Sequence, residues 1–263
     1  MPCDGPSDGS ILAVNVAAVI AGRIGTCALL DFHLRGGDLS LLLKTVPRHT
    51  LSDLLRQQDR LDEAMLNQAL TPHESGIRLL AGLPMFSDLR SLDVASCQRI
   101  VRLAQGSHAF TIVNCEDISH AEQIQAIAAS DDVILTIRMD LVSINRARQL
   151  MQFMVRNRVP LDRIHVVAMG TGNSGELPSS AVKSVLGISS LHHVPADQAA
   201  ITVSINVGNP LVLESPKSAP SRAIVTLVGD LTGLRPQTSQ APAQRSSLLG
   251  RAAAVLAIHT ASC

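Results

Sequence analysis

Short apolar runs, separated by segments of helical period, constrain this chain more than any other feature. The runs are TCALLDF (26–32), IRLLAG (77–82), FTIVN (110–114), DVILTIR (132–138) and IHVVAM (164–169). Near-continuous apolar stretches of this length predict strands buried on both faces of a parallel sheet. Around them, apolar spacing predicts helices over Ser10–Gly22, Leu92–Gln105, Ala121–Ala129, Leu141–Asn157, Ser179–Leu186, Gln198–Val207 and Arg222–Leu231. Strand and helix in alternation make βαβ units. The expected fold class is therefore α/β, with a doubly wound, mostly parallel sheet.

Three stretches depart from that rhythm. Residues 35–66 form a long excursion with two short helical segments. TGNSGELPSS (171–180) is a Gly/Ser/Pro-rich link whose Ser179 or Ser180 can cap the next helix. RPQTSQAPAQRSS (235–247) reads as a flexible tail, followed by a short apolar end, LLGRAAAVLAIHTASC. That end is open between a helix docked on the domain, a disordered terminus and a peripheral contact with membrane or partner. The chain divides into a domain over 1–234 and a tail over 235–263.

Composition narrows the partners. Apolar residues make up 46% of the 263, enough for a large core, and charged residues only 17%, against roughly 25% in ordinary globular proteins. A net charge of +0 and the lack of any Trp or Tyr disfavour nucleic-acid binding, which draws on cations and aromatic platforms. A weakly charged surface favours protein contacts instead. The five cysteines (Cys3, Cys27, Cys97, Cys115, Cys263) are scattered without a CxxC pair, as in proteins that keep their thiols reduced. No basic leader precedes an apolar stretch, and no window holds the ~20 apolar residues of a membrane span. The expected location is the cytoplasm.

Several segments together carry a family resemblance. ILAVNVAAVIAG, LLDFHLRGGDLSLLL, PRHTLSDLL with RLDEAML, TPHESGIRLLAG, DDVILTIRMDLVSINRARQLM and VPADQAAITVSINVGNPLVLESPKSAPSRAI occur in that order. The series resembles the deviant Walker ATPases related to MinD and ParA, and most closely their TadZ/CpaE-type pilus assembly branch, over roughly residues 9–234. The resemblance implies a P-loop NTPase-like fold. It also implies work in placing or assembling a type IVb (Flp/Tad) pilus or secretion apparatus, at the inner membrane or a cell pole, through assembly-protein partners or a homodimer.

The family's nucleotide site can be followed residue by residue. Its loop reads KGGxGK[ST]. Aligned on LAVN, the early lysine falls on Asp4 and the second on Gly9; Ser10 takes the Mg²⁺-binding hydroxyl. Gly5 fits one loop glycine, while Pro6 and Asp8 replace the others. Two cations are exchanged for two acids, about four units of charge beside a polyanion, where one pair near 4 Å is worth several kcal/mol. Pro6 also lacks an N–H for the phosphate cradle. The first lysine anywhere is Lys44, and Met1 leaves no room for the strand that the family places before the loop. Asp31 keeps the first acid of the family's D-x-D, but His33 takes the second; Asn114 replaces the acid that holds Mg²⁺ through water. The adenine-reading Asn falls on Ala168 or Met169.

Gly5, Gly9, Ser10, Asp31 and Asn114 thus outline a vestigial nucleotide site. The expectation is a non-hydrolysing pseudo-ATPase without cofactor or metal. The alternative is an ATP- and Mg-dependent MinD-like ATPase that switches between monomer and dimer. Other chemistry is weak. His192 and His193 are neighbours on a strand and point to opposite faces, so they suit structural roles better than a metal. The carboxylates of GDL (37–39), CED (115–117) and SDD (130–132) suit caps or solvated turns, and Cys115 has no histidine at a telling spacing. GTGNSG (170–175) reads as a loop, and the arginines around 146–163 as a solvated helix face.

Overall fold

A computed structural model describes residues 6–33, 36–83, 94–116, 120–234 and 251–257. The first helix, α1 (Asp8–Ile24), runs behind the sheet; its residues from Leu12 to Ala21 are all buried. A helix apolar all round has to lie inside the protein, and this one is held between the sheet and two later helices. The strands are β1 (Cys27–Asp31), β2 (Thr71–Pro72), β3 (Ile77–Leu80), β4 (Phe110–Cys115), β5 (Asp132–Ile137), β6 (Ile164–Thr171), β7 (His192–Pro195) and β8 (Arg251–Ala257). They form one sheet in the order β2-β3-β1-β4-β8-β5-β6-β7, parallel throughout except for β2 against β3. The doubly wound α/β reading holds.

The excursion carries α2 (Leu39–Leu42), α3 (Leu51–Arg56) and α4 (Glu63–Ala69), one helix more than its pattern predicts. Beyond it come α5 (Val94–Ser107), α6 (Ala121–Ala128), α7 (Leu141–Arg156), α8 (Ser179–Leu186), α9 (Gln198–Val207), α10 (Leu211–Glu214) and α11 (Ala219–Thr232). Alternate strand residues feed two cores, as the pleat requires. Leu30, Val113 and Leu135 face a layer with Leu51, Ile100, Ile127 and Met151. Leu29, Ile112 and Ile134 face α1 and α11, meeting Val16, Ile20, Ile224 and Leu227.

Within the short apolar end, the described residues 251–257 are a strand and not a docked helix. Residues 251–257 form β8, which enters the sheet between β4 and β5, with Ile112 opposite Ala253 and Val133 opposite Ala254. β8 is thus an interior strand of the sheet, and α1 lies against it. Local patterning had no means of showing this, because RAAAVLA has no period that separates helix from strand.

Candidate functional site

The carboxyl ends of parallel strands meet the amino end of α1 at one edge of the sheet, the place where open α/β sheets form their sites. Ser7 caps α1: its hydroxyl accepts from Ser10 N (3.0 Å), and its carbonyl accepts from Ile11 N (3.0 Å). Gly9 and Ser10 are buried in the first turn. Asp4 and Gly5 lie outside the described residues.

Asp31, the last residue of β1, and Asn114, the last but one of β4, stand directly opposite one another in register. The Asn114 amide nitrogen donates to Asp31 Oδ1 (3.2 Å) and to Ser10 Oγ (3.3 Å). Three of the sequence-predicted site residues thus share one buried network. The amide's own oxygen, Oδ1, is buried and has no hydrogen-bond partner. Such an acceptor normally finds a donor, so its vacancy calls for an explanation.

Asp31 is fully buried. It also accepts from His33 N (3.2 Å) and Leu39 N (3.4 Å), and Gly37 and Gly82 pack on its carboxylate. A Cβ on Gly37 would stand 2.0 Å from Asp31 Oδ2, so only glycine allows this approach. Burial pushes the carboxyl up to about 6, with the His33 charge and the bonds from Asn114, His33 and Leu39 pulling the other way. His33 Nε2 pairs with Glu116, while its Nδ1 is buried without a partner. Burial opposes its charged form, yet the Glu116 bond and the Glu116, Asp31 and Asp38 carboxylates outweigh that and raise its pKa.

Glu116, expected in a solvated turn, is therefore drawn into the site. Gln123, fully buried at the start of α6, ties the two strand ends together. It accepts from Glu116 N (2.8 Å) and donates to the Phe32 carbonyl (3.0 Å). A second missed residue is Arg138, just beyond β5. Its guanidinium grips Asp8 with two bonds, Nε to Oδ2 at 2.6 Å and Nη2 to Oδ1 at 2.9 Å. Its backbone N donates to Ser143 Oγ (2.8 Å), and a Cβ on Gly170 would stand 2.9 Å from Nη1. These partners are 130 residues apart, and neither segment carries a signal for the other.

Remaining candidates resolve simply. Ala168 and Met169 are buried apolar residues of β6. Cys115 is buried and its thiol pKa is pushed far up by desolvation, so it is no nucleophile. His193 Nε2 lies 3.1 Å from Ser179 Oγ, and His192 faces Asp230. Among the described residues no three His, Cys, Asp or Glu side chains gather as a metal cluster, and no helix is long and apolar enough to cross a membrane.

This fold and this edge define the chain as having the fold of the MinD/ParA-type P-loop ATPases. The ParA family ATPase of Chlorobium tepidum superposes with TM-score 0.78 at 21% identity, covering 86% of this chain and 95% of that one. MinD of Pyrococcus horikoshii, complexed with Mg-ADP, gives 0.74 at 18%, covering 88% and 93%. A plasmid partition protein of Borrelia burgdorferi, bound to AMPPNP, gives 0.58 at 10%, covering 83% and 91%. No protein-family model and no curated protein matches the chain.

The comparisons correct the expectation of a pseudo-ATPase without cofactor. Proteins sharing this fold over most of both chains are captured with Mg-ADP and AMPPNP. In the structure the Asp8 charge, unpaired in the sequence, is met by Arg138, and Asn114 stays bonded to Ser10 and Asp31.

Proposed function

We propose that this chain is a nucleotide-dependent MinD/ParA-like protein, with Mg-ATP held between the amino end of α1 and the ends of β1 and β4. The observation that carries the reading is the buried, partnerless Asn114 Oδ1 beside Ser10 and Asp31. An acceptor in that position fits a metal-bound water. A hydroxyl, one carboxylate and an amide oxygen also suit Mg²⁺, which keeps several waters and takes its other ligands from phosphate. Ser10 and Asp31 would hold the ion, with Asn114 acting through water. When bound, Mg²⁺ supplies charge neutralisation and orientation of the terminal phosphates. The fold's nucleotide-bound relatives support the same reading.

Nucleotide would then set the balance between monomer and homodimer, with contact at a membrane surface peripheral. The finer assignment, assembly or placement of a type IVb pilus or secretion apparatus with its assembly proteins as partners, rests on the motif resemblance over residues 9–234. Titration calorimetry with Mg-ATP, paired with sedimentation, tests the nucleotide reading. Binding that requires Mg²⁺, disappears in Ser10→Ala and Asp31→Ala, and shifts the protein toward a dimer is expected. No heat at millimolar ATP in folded protein overturns it.

A further inference from the structure

The loop before α1 contains no lysine, yet a cation stands at the helix start. The Arg138 side chain is half exposed and reaches Asp8, in the first turn of α1, as a two-bonded fork. Its origin is fixed: the strand β5 ends one residue earlier, and the Arg138 N–H is tied to Ser143, itself held by the Asp140 cap (Ser143 N to Oδ1, 2.8 Å). Gly170, with φ +64, supplies the space into which the guanidinium fits. A residue with a Cβ there would meet Nη1.

What Arg138 grips is a carboxylate at a helix amino terminus, the position where a helix favours an anion. A guanidinium fork matches carboxylate and phosphate alike. The site holds a second sign of a missing ligand, the partnerless buried Asn114 Oδ1, joined through the amide to Ser10 two residues along the same turn. The Asp8 carboxylate thus occupies the cation beside the helix end, where a phosphate would compete for it.

We propose that Arg138 is the phosphate-binding cation of this site, replacing the loop lysine from the end of β5, and that Asp8 is its internal stand-in, displaced when a phosphate chain enters. The inference rests on the nucleotide reading above. Three consequences follow from the competition. Removing the Asp8 charge frees Arg138 and tightens binding of a polyphosphate. Removing the Arg138 charge weakens it. A lysine at 138 falls between, because a point charge cannot form the fork.

The test measures the affinity of Mg-ATP, and of tripolyphosphate with Mg²⁺, for wild type, Asp8→Asn, Arg138→Gln, Arg138→Lys and the double variant, each first shown to unfold cooperatively. Asp8→Asn is expected to tighten both ligands about tenfold, and Arg138→Gln to weaken both about tenfold, each equivalent to about 1.4 kcal/mol. In the double variant the gain from Asp8→Asn should shrink, since only the relief of direct repulsion between carboxylate and phosphate remains once Arg138 is gone. Unchanged ATP affinity in Arg138→Gln, with wild type binding normally, overturns this assignment and leaves the nucleotide reading standing. An effect on ATP with tripolyphosphate unmoved overturns the phosphate role. Absence of ATP binding in every variant, Asp8→Asn included, overturns both.

Discussion

Asn114 donates one amide to both Asp31, 3.2 Å away across the β1–β4 register, and Ser10, 3.3 Å away on α1. A neutral donor at that position tolerates Asp31 in either protonation state. It also leaves the buried carboxylate without a formal counter-charge on the neighbouring strand.

The pH dependence of the metal-free protein follows. Asp31 rises from its ordinary 3.8 to about 6, so folding carries a cost that is full above pH 6 and disappears below about 3.8. His33 is raised as well; its contribution is full below 6.5 and lost as pH climbs through its folded value. Both groups favour the acid side. In EDTA, stability should increase by about 1–2 kcal/mol from pH 8 to pH 5, seen as a melting temperature higher by several degrees. Asp31→Asn should flatten that rise; an equally steep profile in the variant would place its origin elsewhere.

Gly37 and Gly22 make a contrasting pair. A Cβ at Gly37 would collide with Asp31 Oδ2, whereas one at Gly22, exposed in α1, meets nothing within 4 Å. Gly37→Ala should lose roughly 1–3 kcal/mol by overpacking. Gly22→Ala should gain up to about 1 kcal/mol from helix propensity. Urea titration of the two variants gives both signs in one experiment, and a loss in each would contradict the space described around Gly22.

Asn15, the polar interruption in the first apolar stretch, is a structural clamp. Buried in α1, it accepts from Val212 N (2.9 Å) and donates to the Ile11 carbonyl (2.8 Å), fastening α10 to the helix. Asn15→Ala strands a buried N–H and should cost roughly 1–3 kcal/mol. Hydrogen exchange should quicken at Val212 before the strands respond. Unchanged protection at that amide would show that the clamp contributes nothing.

Much of this architecture was legible because it is periodic. Leu141–Asn157 as read from the sequence compares with Leu141–Arg156 as observed, and the five apolar runs are all strands. The site was legible only where the family motif is local: Ser10, Asp31 and Asn114 do converge. Arg138, Glu116 and Gln123 were not, since their roles depend on which strand ends adjoin in space. β8 was hidden for a related reason. Its partners β4 and β5 lie more than a hundred residues away, and seven residues rich in alanine announce no register.

Removing β8 tests its role in the sheet. A chain ending at Leu234 leaves β4 and β5 without the strand that pairs with both. It should lose its cooperative thermal transition, and an added peptide spanning residues 248–263 should restore it. A truncated chain that melts as sharply as the full one would show the sheet to be self-sufficient without that strand.

The order of the strands also bears on how the protein is made. The ribosome delivers β1, β3, β4, β5 and β6 long before the residues that join the two halves of their sheet. Until residues 251–257 emerge, two interior edges present open backbone to any extended segment nearby, the situation in which nascent chains invite mispairing or chaperone capture. Because β8 adjoins the strand ends that carry Asn114 and Arg138, the candidate site and the sheet are completed in the same late event.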